Sequence, residues 1–153
     1  YSIVVYNKSN STEVQTEVQP TPSVNIVKKP DRATVRSNIA GYYKALSNSR
    51  IEQLGNYLED PMQQWFSSTN ISLSNVMADS RRYVEKYPFR EANINWSTIT
   101  FKELDGGLLQ VTYVMDYRIK RKRLQFWSNY KLFITTVWNG DNKMVSMQEE
   151  NLK

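Results

Sequence analysis

Three features of the sequence predict an α+β fold. Apolar residues recur at helical spacing in its first half, and the second half switches to the two-residue alternation of β-strands. Turn signals separate the strand segments where hairpins need them: Asp105-Gly106-Gly107 and Asn139-Gly140-Asp141-Asn142. The predicted order is three helices followed by a four-stranded antiparallel meander, with the helices packed on one face of a curved sheet.

Each element has a local reason. Asp31 is a helix N-cap, and Val35, Ile39, Tyr42, Tyr43 and Leu46 then form one apolar stripe over residues 32–46, ended by Ser47-Asn48-Ser49. A shorter helix is expected over 50–58, where Ile51, Leu54, Tyr57 and Leu58 share a face, and Asp60-Pro61 stops it. Residues 62–66 read as a small strand. Ser72 or Ser74 caps a third helix carrying Val76, Met77, Tyr83, Val84 and Tyr87, which Pro88 ends. Strands rich in Val, Ile, Thr and aromatics are then expected over 93–104, 108–122, 124–138 and 143–150.

Alternation assigns the faces. Leu109, Val111, Tyr113, Met115, Tyr117 and Ile119 point to the core, opposite Gln110, Thr112, Asp116, Arg118 and Lys120. In the next strand Phe126, Tyr130, Leu132, Ile134 and Trp138 line one face, and Trp127, Phe133 and Val137 the other. The second set makes that outer face a candidate contact with another subunit.

Composition excludes several chemistries. Among 153 residues there is no Cys and no His, so the chain has no imidazole base, thiol nucleophile, disulfide or usual zinc ligand set. No metal or cofactor is expected. The formal charge of +5 favours anionic partners, and no apolar run is long enough to span a bilayer. Residues 1–30 read as a flexible linker, rich in Ser, Thr, Gln, Asn and Pro, and residues 31–153 as the folded domain. The apolar cluster Ile3, Val4, Val5 and Tyr6 suggests the trailing end of an upstream membrane segment, hence an extracytoplasmic, tethered setting.

Gly41-Tyr42-Tyr43-Lys44-Ala45-Leu46, the helix ending Tyr57-Leu58-Glu59-Asp60 and the hairpin from Trp138 to Met147 resemble the NTF2-like (cystatin-like α+β cone) superfamily. That superfamily includes nuclear transport factor 2, ketosteroid isomerase, SnoaL-type cyclases and periplasmic domains of type IV secretion proteins, so the resemblance admits a bacterial extracytoplasmic member. It implies a cone-shaped fold over residues 31–150 and leaves function open, because the cone hosts enzymes, binding proteins and scaffolds alike. The isomerase branch implies a tyrosine, a carboxylate base and a protonated carboxylic acid. By similarity these fall at Tyr42, Phe66 and Ile134, so the tyrosine is kept and both carboxyls are replaced by apolar side chains.

The other carboxylates have structural explanations. Asp116 stands where Arg118 or Lys131 can pair with it, Asp79 and Glu85 alternate with Arg81, Arg82 and Lys86, and Asp60 precedes a proline. In Arg118-Ile119-Lys120-Arg121-Lys122-Arg123, five of six residues are cationic at an expected hairpin tip, either as a solvated edge guard or as a site for an anionic partner.

Three functions follow as expectations. The first is a non-enzymatic domain of a larger, membrane-anchored protein acting in protein contact or assembly, with Trp127, Phe133 and Val137 on the oligomer face. The second is a small-molecule-binding or isomerase-like cone pocket, with Tyr42, Asp60, Met115, Tyr130 and Trp138 as its candidates. The third is an anion-binding module using Arg118, Lys120, Arg121, Lys122 and Arg123 toward nucleic acid or anionic lipid.

Overall fold

The structure, a computed structural model, describes residues 27–152, so the expectations for the leading cluster and most of the linker lie outside the described residues. The chain forms α1 (Arg32–Ser47), a 3-10 helix (Ile51–Asn56), β1 (Met62–Trp65), β2 (Ser68–Ile71), α2 (Leu73–Lys86), β3 (Phe89–Leu104), β4 (Leu108–Lys120), β5 (Ser128–Trp138) and β6 (Met144–Asn151). The six strands make one sheet in the order β2-β1-β6-β5-β4-β3. The expected antiparallel meander is β3 to β6, and the one parallel pair joins β1 to β6.

Capping fixes where the helices begin. The Asp31 carboxylate accepts from the Thr34 backbone N–H at 2.9 Å and from its hydroxyl at 2.7 Å. That hydroxyl bond holds the Asp31 carboxyl below the usual carboxylate range. Of the two candidate serines, Ser72 is the cap, accepting from the Asn75 N–H at 3.1 Å, and Ser74 lies inside α2. The short second helix is 3-10 rather than α: Arg50 supplies no side-chain cap, and bonds of i→i+3 spacing run from Gln53 to Arg50 and from Tyr57 to Leu54.

Two differences from the expected strands have local causes. β2 is a polar, exposed edge strand, Ser-Thr-Asn-Ile, without the apolar alternation that marks a strand. The segment expected to begin β5 at residue 124 is instead a loop, because the Gln125 side chain accepts the N–H groups of Arg121 and Lys122 and closes a turn there. Pairing of β4 with β5 therefore stops at Ile119 with Ser128, and Phe126, expected on the core face, is 95% exposed.

The sheet curves. A bulge between Asn95 and Thr100 interrupts β3 against β4, and the Thr98 hydroxyl replaces the lost ladder bond by accepting from the Val114 N–H at 2.8 Å. The β3–β4 turn uses Gly106 and Gly107, both at positive φ (78° and 75°), a conformation glycine adopts without steric cost. Residues 27–31 run beside the β5–β6 turn: Lys28 pairs with Asp141 at 3.1 Å, and the Asp31 N–H donates to the Asn142 side chain at 2.8 Å. No helix among the described residues is long and apolar enough to cross a membrane.

The helices pack on the concave face. Val35, Ile39, Tyr42 and Tyr43 of α1, Leu54 of the 3-10 helix and Val76 of α2 join Val111, Tyr113, Met115, Ile134, Trp138 and Met147 in one core. Arg32 and Arg36 of α1 lie over the rings of Phe101 and Trp96 on β3, 5.2 and 4.5 Å from their centroids.

One buried cation joins the helices to the sheet. Arg90, at the start of β3, is 9% exposed and makes no ion pair among the described residues. Its guanidinium donates to the Tyr87 carbonyl at 2.7 Å, the Leu46 carbonyl at 2.6 Å and the Ser49 hydroxyl at 3.0 Å. Longer bonds reach the Val84 and Ser47 carbonyls. It thus satisfies carbonyls at the C-terminal ends of both α1 and α2, where the helix dipoles favour positive charge. Burial lowers its pKa, but a guanidinium remains charged at any ordinary pH. Replacing it by an apolar isostere strands those carbonyls. Arg90→Met is expected to lose about 3 kcal/mol of stability, read as a lower urea midpoint at unchanged slope, with Arg90→Lys recovering only part. A midpoint within a few tenths of a kcal/mol of the parent would contradict this role.

Candidate functional site

The concave side of the sheet and the two α-helices enclose a cavity of about 540 Å³ that opens to solvent at one end. Strand register sets its walls. Ile134 lies opposite Glu149, with Tyr113 beside it behind the lining; one step nearer the opening, Met115 lies opposite Leu132 and Leu132 opposite Asn151; a further step places Tyr117 opposite Tyr130. From above, α1 contributes Tyr42, Tyr43 and Leu46, and α2 contributes Asp79, Ser80 and Tyr83. Trp65 and Phe66, at the end of β1, form a side wall.

The lining mixes aromatic and aliphatic side chains, and several tyrosine hydroxyls in and behind it are spent on one another. Tyr43 and Tyr113 share a hydrogen bond of 2.9 Å, and Tyr83 and Tyr117 one of 2.6 Å. Burial pushes the hydroxyls of Tyr43, Tyr113 and Tyr83 well above the ordinary tyrosine value, and that of Tyr117 up to about 12. All four are therefore neutral at physiological pH. Tyr42 differs: it is 3% exposed, its ring sits edge-on to Tyr43 and Trp65, and its hydroxyl has no hydrogen-bond partner among the described residues. It faces the cavity as an unused donor and acceptor, with its pKa likewise raised by burial.

Phe66 is held in an unusual backbone conformation, with φ of 55°. For a bulky side chain this region is costly, and such strain persists where surrounding bonds over-determine it. Here the Phe66 N–H donates to the Met147 carbonyl at 2.8 Å, and the ring packs against Trp65 with centroids 4.8 Å apart. The result is an aromatic ring at the cavity wall.

Of the five residues expected to line a cone pocket, Tyr42, Met115 and Tyr130 do so. Asp60 does not, because its carboxylate accepts from the Leu73 N–H at 3.0 Å and is spent at the start of α2. Trp138 does not either. It lies opposite Leu109 and Met144 at the closed end of the cone, fully buried, with its indole N–H donating to the Thr136 hydroxyl at 2.8 Å. The positions matched to the isomerase base and acid, Phe66 and Ile134, both border the cavity as apolar walls.

Sequence reasoning missed Glu149. Its signal was parity: Met147 points inward on β6, so Glu149, two residues on, shares that face beside Ile134. It stands at the rim, and burial raises its carboxyl pKa. Asp79, also at the rim, pairs with Arg82 as the sequence suggested, and Asp116 pairs with Lys131 at 3.5 Å. Arg118 turns instead to Glu91, with a bond of 2.9 Å, and stacks on Trp127. On the uncovered convex face, Phe133 lies opposite Val114 and Glu150, and Val137 opposite Gln110 and Ser146, all outside the cavity. Among the described residues no group of acidic side chains is arranged to hold a metal ion.

No protein-family model and no curated protein sequence matches the chain. Solved structures do. A protein from Novosphingobium aromaticivorans assigned as a scytalone dehydratase superposes with a TM-score of 0.69 at 7% identity, over 80% of this chain and 84% of that one. One from Streptomyces avermitilis, assigned as a dehydratase of the NTF2-like family, gives 0.62 at 12% identity, over 79% and 95%. A SnoaL-like polyketide cyclase from Agrobacterium tumefaciens gives 0.51 at 11% identity, over 78% and 91%. At such identities the agreement concerns the backbone, with its helices on a curved, open sheet: the chain has the NTF2-like α+β cone fold.

Proposed function

We propose that this domain binds a neutral, largely apolar ring compound inside the cone. The observation that carries the reading is the open, largely apolar cavity whose lining includes the deeply buried Tyr42 hydroxyl, which makes no hydrogen bond among the described residues. Its volume of about 540 Å³ is that of a small-molecule site. Flat rings suit the aromatic walls of Tyr42, Trp65 and Phe66. A carbonyl or hydroxyl on the ligand would meet Tyr42, and the rim carboxyl of Glu149 disfavours anions. The similar solved structures assigned as dehydratases and a cyclase lend support, since their fold is one that handles small organic molecules.

Binding is favoured over acid–base turnover by the groups available. The buried tyrosines hold their protons far above neutral pH, so none is a base, and the family's two carboxyl positions are Phe66 and Ile134. Titration with the neutral dye Nile red is expected to give saturable fluorescence enhancement. Met115→Trp, which fills the cavity floor, should weaken binding by tenfold or more, whereas Tyr42→Phe costs a ligand its one polar contact. Enhancement unaffected by Met115→Trp would remove the cavity as the site.

Glu149 gives this rim a pH signature. In the unfolded chain its carboxyl titrates near the ordinary value of 4.5, and burial raises it in the folded chain. Between those two values the folded state binds more protons, so stability falls as pH rises through that window and stays lower above it. Glu149→Gln is therefore expected to have a higher thermal midpoint than the parent near neutral pH, with the difference closing below about pH 4. A pH-independent difference would contradict the burial of this group.

A second reading, assembly of a tethered extracytoplasmic domain through the uncovered face of its sheet, is favoured by one observation. Phe133 and Val137 are only half-buried on that face, and no helix among the described residues covers them. Sedimentation velocity across a hundredfold concentration range is expected to show self-association that Phe133→Lys abolishes. A single species of monomer mass throughout would dismiss this reading.

A further inference from the structure

The loop joining β4 to β5 carries the two most exposed large apolar side chains among the described residues. Leu124 is 97% exposed and Phe126 95%. Neither position is an accident of an unformed loop, because its backbone is tied from within. Gln125 accepts from the N–H groups of Arg121 and Lys122 at 3.0 and 3.2 Å, its own N–H donates to the Lys122 carbonyl at 3.1 Å, and the Lys120 ammonium donates to the Arg123 carbonyl at 2.6 Å. The turn is built, and it presents Leu124 and Phe126 outward.

Cations surround the pair. Arg121, Lys122 and Arg123 are exposed and enter no ion pair among the described residues. Arg118 is occupied by Glu91, so the free charge is concentrated at the tip itself. Exposed apolar side chains flanked by free Lys and Arg are the chemistry of a peripheral membrane contact, in which the apolar groups enter the interfacial region and the cations meet anionic headgroups. Nucleic acid fits less well. Of the two rings by the tip, Trp127 is already covered by the Arg118 guanidinium at 4.2 Å and the Lys120 ammonium at 4.6 Å, so Phe126 is the single open stacking face and Leu124 offers none.

We propose that the β4–β5 tip docks on an anionic lipid bilayer, with Leu124 and Phe126 inserted among the headgroups and Arg121, Lys122 and Arg123 against their phosphates and carboxylates. This inference stands apart from the binding reading of the cavity and survives its failure. The register gives it a consequence for the mouth of the cone. Tyr117 and Tyr130, which line the cavity, lie two residues from the Ile119–Ser128 pair that begins the loop, so a docked tip brings the mouth close to the lipid surface.

Co-sedimentation of the whole chain with vesicles tests it. Binding is expected to vesicles of phosphatidylcholine with phosphatidylserine, and to weaken at least tenfold in high salt or on phosphatidylcholine alone. The charge-preserving double variant Leu124→Ser, Phe126→Ser and the double variant Arg121→Glu, Arg123→Glu should each reduce binding at least tenfold. Both variants should keep the parent's thermal midpoint, because their side chains lie outside the core. Absence of vesicle binding by the parent, or parent-like binding by the Leu124, Phe126 variant, would overturn the proposal, the latter by showing that net charge alone is read. Tighter binding to a single-stranded oligonucleotide than to the phosphatidylserine vesicles, lost with Arg121 and Arg123 and indifferent to Leu124 and Phe126, would also overturn it and assign the tip to nucleic acid.

Discussion

The Arg90 guanidinium is the constraint on which the rest of the molecule depends. A cation buried without a carboxylate is unfavourable unless oriented dipoles replace its water, and the carbonyl-bearing ends of α1 and α2 do so from two directions. Because the same fork holds both helices, it fixes their position over the start of β3, where Arg90 lies opposite Ile119. The residues just before these two helix ends are the ones that roof the cavity: Tyr42, Tyr43 and Leu46 on α1, and Asp79, Ser80 and Tyr83 on α2. Separation of roof from floor is therefore set by hydrogen bonds, those of Arg90 at the helix ends together with the Tyr43–Tyr113 and Tyr83–Tyr117 pairs that reach from helix to sheet. That is how the cone stays open in a chain whose apolar residues would otherwise favour closing it.

Within that opening, tyrosine supplies most of the hydroxyl groups. In a hydroxyl pair such as Tyr43 with Tyr113 each oxygen satisfies the other, so polar groups are buried beside the cavity without being left unpaired. Replacement of the expected carboxyls by Phe66 and Ile134 follows the same direction. A carboxyl does survive, displaced by one strand: Glu149 lies directly opposite Ile134, nearer to solvent. At the rim it is desolvated enough for its pKa to rise.

Much of this was legible in the sequence because it depends on periodicity. The apolar stripe from Val35 to Leu46, the alternation from Leu109 to Ile119 and the two hairpin turns each state their own structure locally, and together they specify the cone's order of elements. What was not legible depends on partners distant in the chain or on the competition of side chains with the backbone. Gln125 diverts the chain from β5 by taking two N–H groups, which no alternation rule anticipates. Trp138 has the right parity for the cavity, but parity gives the face and not the depth, and its register with Met144 places it at the closed end. Asp60 was read near the mouth by analogy, whereas its carboxylate serves a residue thirteen positions later. Arg90 carries no sequence signal at all, since one arginine among many becomes a keystone only when two helix ends converge on it.

The two proposed activities meet on a single hairpin. β4 and β5 form the cavity's floor with Met115 and Leu132, its lip with Tyr117 and Tyr130, and beyond the lip the cationic tip with Leu124 and Phe126. A ligand apolar enough to favour the aromatic cone is also one that partitions into lipid, so its concentration in water is low and its concentration in a bilayer is high. With the tip in the interfacial region, the lip lies about two residues, or roughly 7 Å, from the end of the strand ladder. Entry from the membrane surface then spares the ligand a passage through bulk water. The positive charge serves the same geometry, because it orients the tip, and hence the mouth, toward the surface from which such a ligand comes.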